Sequence, residues 1–249
     1  MAVHVYVKEE NTVKKKVVNF FSYFALTIGC LLLFWAFYPI VSFEVYSRIF
    51  IPKNIVAPIP SSQVGSPLEM ANSTLGGPNV FSNNLRDFTN ASLWFPTQAK
   101  DGSTSKIDIK EYFLSIPKLN IDKARVKVGG EDLSKSLIHY LPTSAPGESG
   151  NVVIFGHSTL PQLYNPKDYK TIFTYLPSME KGDKVIVKVG QLNFEYEVFE
   201  MFVVKPDQVS VLAQRYDASY LTLITCVPPG TYWNRLIVRA KLTKLPTEL

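Results

Sequence analysis

Residues Leu221–Ala240 read LTLITCVPPGTYWNRLIVRA. A run rich in β-branched and apolar residues, LTLITC, meets a Pro-Pro-Gly break, and a second such run, RLIVRA, follows. The pattern predicts two strands joined by a short loop. Cys226 ends the first strand and Arg235 opens the second, nine residues later. The same texture extends upstream through YFLSIPKLNI (Tyr112–Ile121), ARVKVGG (Ala124–Gly130) and NVVIFGH (Asn151–His157). KVIVKVG and QLNFEYEVFEMFVVK, between Lys184 and Lys205, alternate around Gly190-Gln191 as a hairpin does. KTIFTYLPSME (Lys170–Glu180) and DQVSVLAQRY (Asp207–Tyr216) predict short helical turns. Many short strands without strand–helix alternation make the region all-β, an antiparallel barrel or sandwich rather than a parallel sheet. There is no internal repeat.

Three strand-end residues carry the chemistry. His157 follows NVVIFG, Cys226 ends LTLITC, and Arg235 begins RLIVRA. Such ends lie on a barrel rim, where residues distant in sequence can meet. A thiolate is a nucleophile, an imidazole moves protons near neutral pH, and a guanidinium can hold an oxyanion or a substrate carbonyl. That set suits acyl transfer. Residue type alone leaves plainer roles open. A free cysteine often packs as a small hydrophobe, His157 suits a turn, and Arg235 suits a solvated strand end. His139 reads as structural, and Trp94 and Trp233 as packing aromatics. Arg239 shares the strand face of Ile237 and Arg235 and is the fallback if the register is shifted.

Several segments together resemble the sortase family of membrane-anchored cysteine transpeptidases. TLITC followed by RLIV is similar to that family's TLxTC signature and the arginine opening its next strand. Thr222, Leu223, Thr225, Cys226 and Arg235 fill those positions. IHYLPTSAPGESGNVVIFGHS resembles the segment around the family's histidine, on His157. FLSIPKLNID and MEKGDKVIV resemble an early strand and the turn after the histidine. The resemblance covers about residues 106–245. It implies a closed eight-stranded sortase-type β-barrel with short helices. It implies Cys226 as nucleophile, His157 as acid/base and Arg235 as holder of the oxyanion or substrate. Thr225 becomes a candidate for positioning substrate. The loop from about Val204 to Tyr220 would line a cleft, with Val209, Val211 and Leu212 as candidate substrate-binding residues.

The implied partners are a sorting-signal peptide, Leu-Pro-x-Thr-Gly or a variant, and an amine acceptor on cell-wall precursor or a pilin lysine. The loop CVPPGTYWNR is most similar to the pilin-assembling and class C–D-like branches. Those pilin enzymes usually carry a C-terminal membrane helix and an Asp-Pro-aromatic lid. KLTKLPTEL has no apolar run and no Asp-Pro pair occurs, so anchoring is expected over pilin polymerisation. No cofactor is expected, and no dense carboxylate loop suggests a metal. A catalytically silent peptide-binding module and a hydrolase using water as acceptor remain the rivals. With ordinary pKa values near 8.5 and 6.5, a Cys–His pair is only about 1% thiolate–imidazolium. The site must either lower the thiol's pKa or work through a minor form.

The N-terminal part is of another kind. Val17–Val41 reads VVNFFSYFALTIGCLLLFWAFYPIV, and no charge occurs from Val17 through Phe43. A helix of ~20 such residues spans a bilayer core, and Tyr23, Trp35 and Tyr38 suit its interfaces. The run is longer than the ~7–15 residues of a signal-peptide core. Lys14-Lys15-Lys16 precede it, which predicts a cytoplasmic N-terminus and an extracytoplasmic remainder. Residues 44–105 include a Pro-, Ser-, Asn- and Gly-rich linker, spanning roughly 45 Å if flexible. Asn72 and Asn90 open N-x-[ST] sequons, a pattern common by chance. Within that linker LRDFTNASLWFP (Leu85–Pro96) is too aromatic for a spacer, and Leu85, Phe88, Leu93, Trp94 and Phe95 are expected to pack on the head.

The expected organisation is therefore a tail over 1–16, a transmembrane helix over 17–43, a linker over 44–105 and a catalytic domain over 106–249. The partners then include membrane lipid around the helix. The net charge of +5 is spread along the chain, with 18 basic against 15 acidic residues after residue 105. Without a basic stripe, nucleic acid is not an expected partner. Cys30 lies in the apolar run, leaving Cys226 without a disulfide partner in the exported part.

Overall fold

A computed structural model describes residues 12–50, 90, 91, 94 and 108–248. Most of the expected linker, including Asn72, Leu85, Phe88, Leu93 and Phe95, lies outside the described residues. The first element is helix α1, Thr12–Phe50. It extends past the apolar run at both ends. Beyond the run, Glu44 and Arg48 form an i,i+4 ion pair at 3.0 Å that suits continued helix. α1 is long and apolar enough to cross a membrane.

Eight strands follow: β1 (Glu111–Ile116), β2 (Ile121–Val128), β3 (Leu137–His139), β4 (Gly150–Phe155), β5 (Lys184–Val189), β6 (Leu192–Val204), β7 (Ser219–Val227) and β8 (Asn234–Glu248). They close into a barrel in the order β1-β2-β3-β4-β7-β8-β6-β5, with β5 returning to β1. The eight-stranded barrel expected from the sequence is thus present. Gly190-Gln191 turns the β5–β6 hairpin, and Gly190 takes the positive φ of 58° that favours glycine. The expected helical turns are single 3₁₀ turns at Leu176–Ser178 and Val209–Leu212.

The barrel is not wholly antiparallel. β2 pairs β3 in parallel, and β4 pairs β7 in parallel. The long chain between β4 and β7 permits the second crossover. Its consequence is positional. Parallel neighbours end at the same rim, so the residues after Phe155 and Ile224 emerge together. β8 runs antiparallel to β7 and starts at that same rim.

β4, β7 and the first part of β8, residues 235–238, bury both faces. Leu221, Leu223, Val227, Leu236 and Val238 point into the barrel core with Tyr112, Leu114, Val152 and Ile154. The alternate residues Ile224, Cys226 and Ile237 face outward into a second cluster. Phe155, Phe202, Val211, Leu212 and Trp94 complete that cluster. Two-sided burial explains why these strands read as nearly continuous apolar runs rather than alternating ones.

Candidate active site

Cys226 and Arg235 are directly opposed in the β7–β8 ladder. Opposed residues share a face, so sulfur and guanidinium lie side by side on the outer cluster. The register is not shifted. Arg239 instead opposes Thr222, where its Nη1 meets Glu200 Oε2 at 3.2 Å and its guanidinium covers the Phe202 ring.

His157 reaches the same rim through an extension of the β4–β7 pairing. Gly156 N donates to Ile224 O at 3.1 Å. Thr225 Oγ1 donates to Gly156 O at 2.8 Å, and Ser158 Oγ donates to Cys226 O at 2.6 Å. The residues on either side of His157 are therefore tied to Thr225 and Cys226. Gly156 has a steric reason: a Cβ there would lie 2.3 Å from Phe173 Cδ2 and 2.6 Å from Leu137 Cδ2. Phe173 N, in turn, donates to His157 O at 2.9 Å.

Thr225 is fully buried and faces the barrel interior, on the opposite side of β7 from Cys226. Its hydroxyl holds the histidine loop. Val211 and Leu212 are buried in the cluster that contains Cys226, and Val209 packs against it partly buried.

Trp94 sits over these groups. Its ring centroid is 5.8 Å from that of His157, and the Arg235 guanidinium lies 5.1 Å from the Trp94 ring. Trp94 O accepts from Arg235 Nη2 at 3.4 Å, while Arg235 Nη1 donates to Tyr232 O at 2.9 Å. Ala91 N donates to Glu131 O at 3.0 Å, which fastens this segment to the loop before β3. Trp94 is itself fully buried, and Cys226 and Arg235 are left 5% and 2% exposed. The aromatic patch around Trp94 was the sequence signal that this segment belongs to the head. That it meets the His157 and Arg235 side chains had no local signature.

The covered site is electrically quiet. Burial pushes the Cys226 thiol pKa up, and the Arg235 charge opposes that shift only in part. Burial lowers His157 to about 4, against a smaller upward pull from Asp132. Both groups are neutral at pH 7 in this arrangement. His157 Nε2 and Arg235 Nε are buried and make no hydrogen bond among the described residues. Unsatisfied buried polar atoms are uncommon, and two of them fall in this one site.

A family model for the sortase domain matches residues 114–243, more than half of the sequence. The chain belongs to the sortase family. It is 28% identical over 134 residues to Sortase D of Bacillus subtilis (strain 168), aligning 53% of this chain with 62% of that protein. The match thus spans less than two thirds of that relative's length. Over 161 residues it is 25% identical to Sortase A of Bacillus anthracis, with 63% of this chain and 71% of that one aligned. Among solved structures, a Clostridium perfringens Sortase D5 transpeptidase aligns at 25% identity and a TM-score of 0.47, over 64% of this chain and 98% of that one. Streptococcus pneumoniae Sortase C, studied for its catalysis and pilin substrate specificity, aligns at 26% identity and a TM-score of 0.49, over 58% and 74%.

Proposed function

We propose that this protein is a membrane-anchored cysteine transpeptidase. It cleaves a C-terminal sorting motif of the Leu-Pro-x-Thr-Gly kind and passes the acyl group to an amine at the cell surface. In this reading residues 1–16 are cytoplasmic and the α1 apolar run anchors the chain. The segment 44–105 connects the anchor to an extracytoplasmic catalytic domain. The observation that carries it is the pairing of Cys226 with Arg235 at the rim where His157 is tied in.

The chemistry follows from the residues. Trp94 moves aside and the peptide carbonyl takes the position of Trp94 O, against Arg235. Cys226 loses its proton to His157 as its Sγ attacks the carbonyl carbon. The Arg235 guanidinium neutralises the oxyanion that forms. His157 returns the proton to the departing amine as the C–N bond breaks, leaving a thioester on Cys226. An acceptor amine then adds to the thioester, His157 takes its proton, and the amide forms as sulfur leaves and is reprotonated. Val209, Val211 and Leu212 supply an apolar wall for the motif. A cell-wall precursor and a pilin lysine both offer the required amine.

The test uses the full chain in nanodiscs with a sorting peptide and a small primary amine, read by mass spectrometry. Wild type is expected to give a thioacyl adduct and ligated product. Cys226→Ala is expected to give neither, with an unchanged circular dichroism spectrum. Cleavage by Cys226→Ala would overturn the mechanism. Hydrolysed product without ligation would make the protein a protease, and binding without cleavage a silent module.

A further inference from the structure

α1 has two kinds of surface along one helix. Of residues 15–38, all are exposed except Gly29, which is half-buried. Beyond them Pro39, Phe43 and Ser47 are buried, one turn apart, on a single stripe. The exposed apolar stretch 17–38 is about 33 Å long at ~1.5 Å per residue, close to the ~30 Å of a bilayer core. The stripe that follows packs on the head, and Phe43 joins the barrel's core cluster.

The head meets α1 through its catalytic end. A groove of about 430 Å³ is walled by Pro39, Phe43 and Tyr46 on one side and by Pro161, Tyr175 and Pro229 on the other. Pro161 lies in the loop after β4, and Pro229 in the β7–β8 loop. These two loops touch, since a Cβ on Gly230 would lie 2.7 Å from Leu160 Cδ2. Pro39 has no N–H, so the Trp35 carbonyl loses its helical partner. Gln162 Nε2 supplies a donor to that carbonyl at 3.4 Å. The loop after β4 is thereby held level with Trp35, near the outer end of the exposed apolar stretch.

The same two loops, which meet α1 at Pro161 and Pro229, also carry exposed large apolar side chains. Leu163 is 65% exposed, Tyr232 48% and Trp233 57%. Tyr and Trp are the residues that favour the membrane–water interface.

We propose that the catalytic end of the head rests on the bilayer that α1 crosses, with Leu163, Tyr232 and Trp233 inserted into its outer interface. This rests on the anchored reading of α1. Trp233 immediately precedes Asn234, which pairs Val227, so the inserted loop is one rung from the Cys226–Arg235 pair. Docking therefore sets the candidate site at the lipid surface, facing substrates held in the same membrane.

The test places single spin labels on the full chain carrying Cys30→Ser and Cys226→Ala, in nanodiscs of phosphatidylcholine and phosphatidylglycerol. Labels go at Leu163→Cys and Trp233→Cys, with Leu26→Cys as the deep reference and Glu197→Cys as the aqueous one. Collision with oxygen against a water-soluble nickel chelate reports depth. Residues 163 and 233 are expected to favour oxygen several-fold over residue 197, at interfacial depth. Adding Phe43→Glu, which places a charge in the docking stripe, is expected to return both to the value at 197 while 26 stays deep. If 26 is deep but 163 and 233 match 197, the docking is wrong, the anchor stands, and the patch is left for a protein partner. If 26 itself reports water, the anchored reading fails and the docking with it. If Phe43→Glu leaves both labels at interfacial depth, α1 does not set the docking and the proposal is overturned.

Discussion

The head contains two histidines, His139 fully buried and His157 partly buried, with the same pKa direction and opposite surroundings. Burial brings both His139 and His157 down to about 4. His139 is fully satisfied. Tyr112 Oη lies 2.9 Å from Nδ1, and Thr143 Oγ1 lies 2.9 Å from Nε2. Thr143 Oγ1 also donates to Tyr140 O, so the network puts the ring proton on Nε2 and lets Nδ1 accept from Tyr112. His157 is partly buried, less deep than His139, and lacks the same bonds. Its Nε2 is buried and unbonded among the described residues, and the Trp94 and His157 ring centroids are 5.8 Å apart. A buried polar atom left unpaired costs about 1–3 kcal/mol. A lowered pKa is therefore common to both rings, whereas hydrogen-bond satisfaction distinguishes them.

The largest expected contrast lies in substituting the two rings. His157→Gln should lower peptide turnover by about 10³-fold or more with thermal stability little changed, consistent with loss of proton transfer. His139→Gln should destabilise the head by about 1–3 kcal/mol while the folded fraction retains its turnover. Turnover and thermal melts on the same samples check both, and a reversed pattern would break the comparison.

Acid should act on both rings together. With native values near 4 and unfolded values near 6.5, the unfolded chain binds protons that the native chain refuses in that window. Stability is then complete above about pH 6.5 and falls as pH drops towards 4, by on the order of 3 kcal/mol per ring. Denaturant titrations from pH 7 to pH 4 measure the loss. A flat profile would mean that neither ring is as buried as its surroundings imply.

Removing the cover should act on one ring only. Trp94→Ala takes away a buried indole and its contact with the Arg235 cation, worth about 2–3 kcal/mol together. Reaction of Cys226 with a small thiol reagent should rise about 10- to 100-fold, and peptide turnover should rise with it. His157 should return towards its ordinary pKa while His139 stays low, as read by histidine NMR titration. Unchanged thiol reactivity would show that Trp94 does not control access.

The smallest effect concerns the tie that holds His157. Thr225→Val removes the hydroxyl bonded to Gly156 O but keeps the shape. It should lower kcat several-fold with KM unchanged, and Thr225→Ser should restore it. An equal loss in Thr225→Ser, or a change confined to KM, would place Thr225 in substrate binding instead.

Much of this was legible beforehand because its signals are local. The Gly190-Gln191 hairpin depends on turn chemistry. The apolar run from Val17 depends on composition alone. The Pro-Pro-Gly break put Cys226 and Arg235 at facing strand ends, but their direct opposition came only from the observed register. The parallel pairing of β4 with β7 was not legible, because apolar strands buried on both faces carry no alternation to choose a partner or direction. Nor was the seat of Trp94, since absence of an Asp-Pro pair says nothing about which other aromatic can cover the site. The helix beyond Phe43 was missed because Glu44 and Arg48 read as the end of a membrane run, whereas they pair along a continuing helix.

Taken alone, the sequence determined that the chain has one apolar helix, a strand-rich head, and sulfur, imidazole and guanidinium at strand ends. These follow from side-chain type, short-range periodicity and turn residues. Only the tertiary structure decided that β4 and β7 run in the same direction, which brings His157 and Cys226 to one rim. It also decided that Trp94 closes that rim and that Pro39, Phe43 and Ser47 give α1 a protein-facing stripe. Such features depend on which surfaces exclude water against each other across long stretches of chain, and no local pattern encodes that choice.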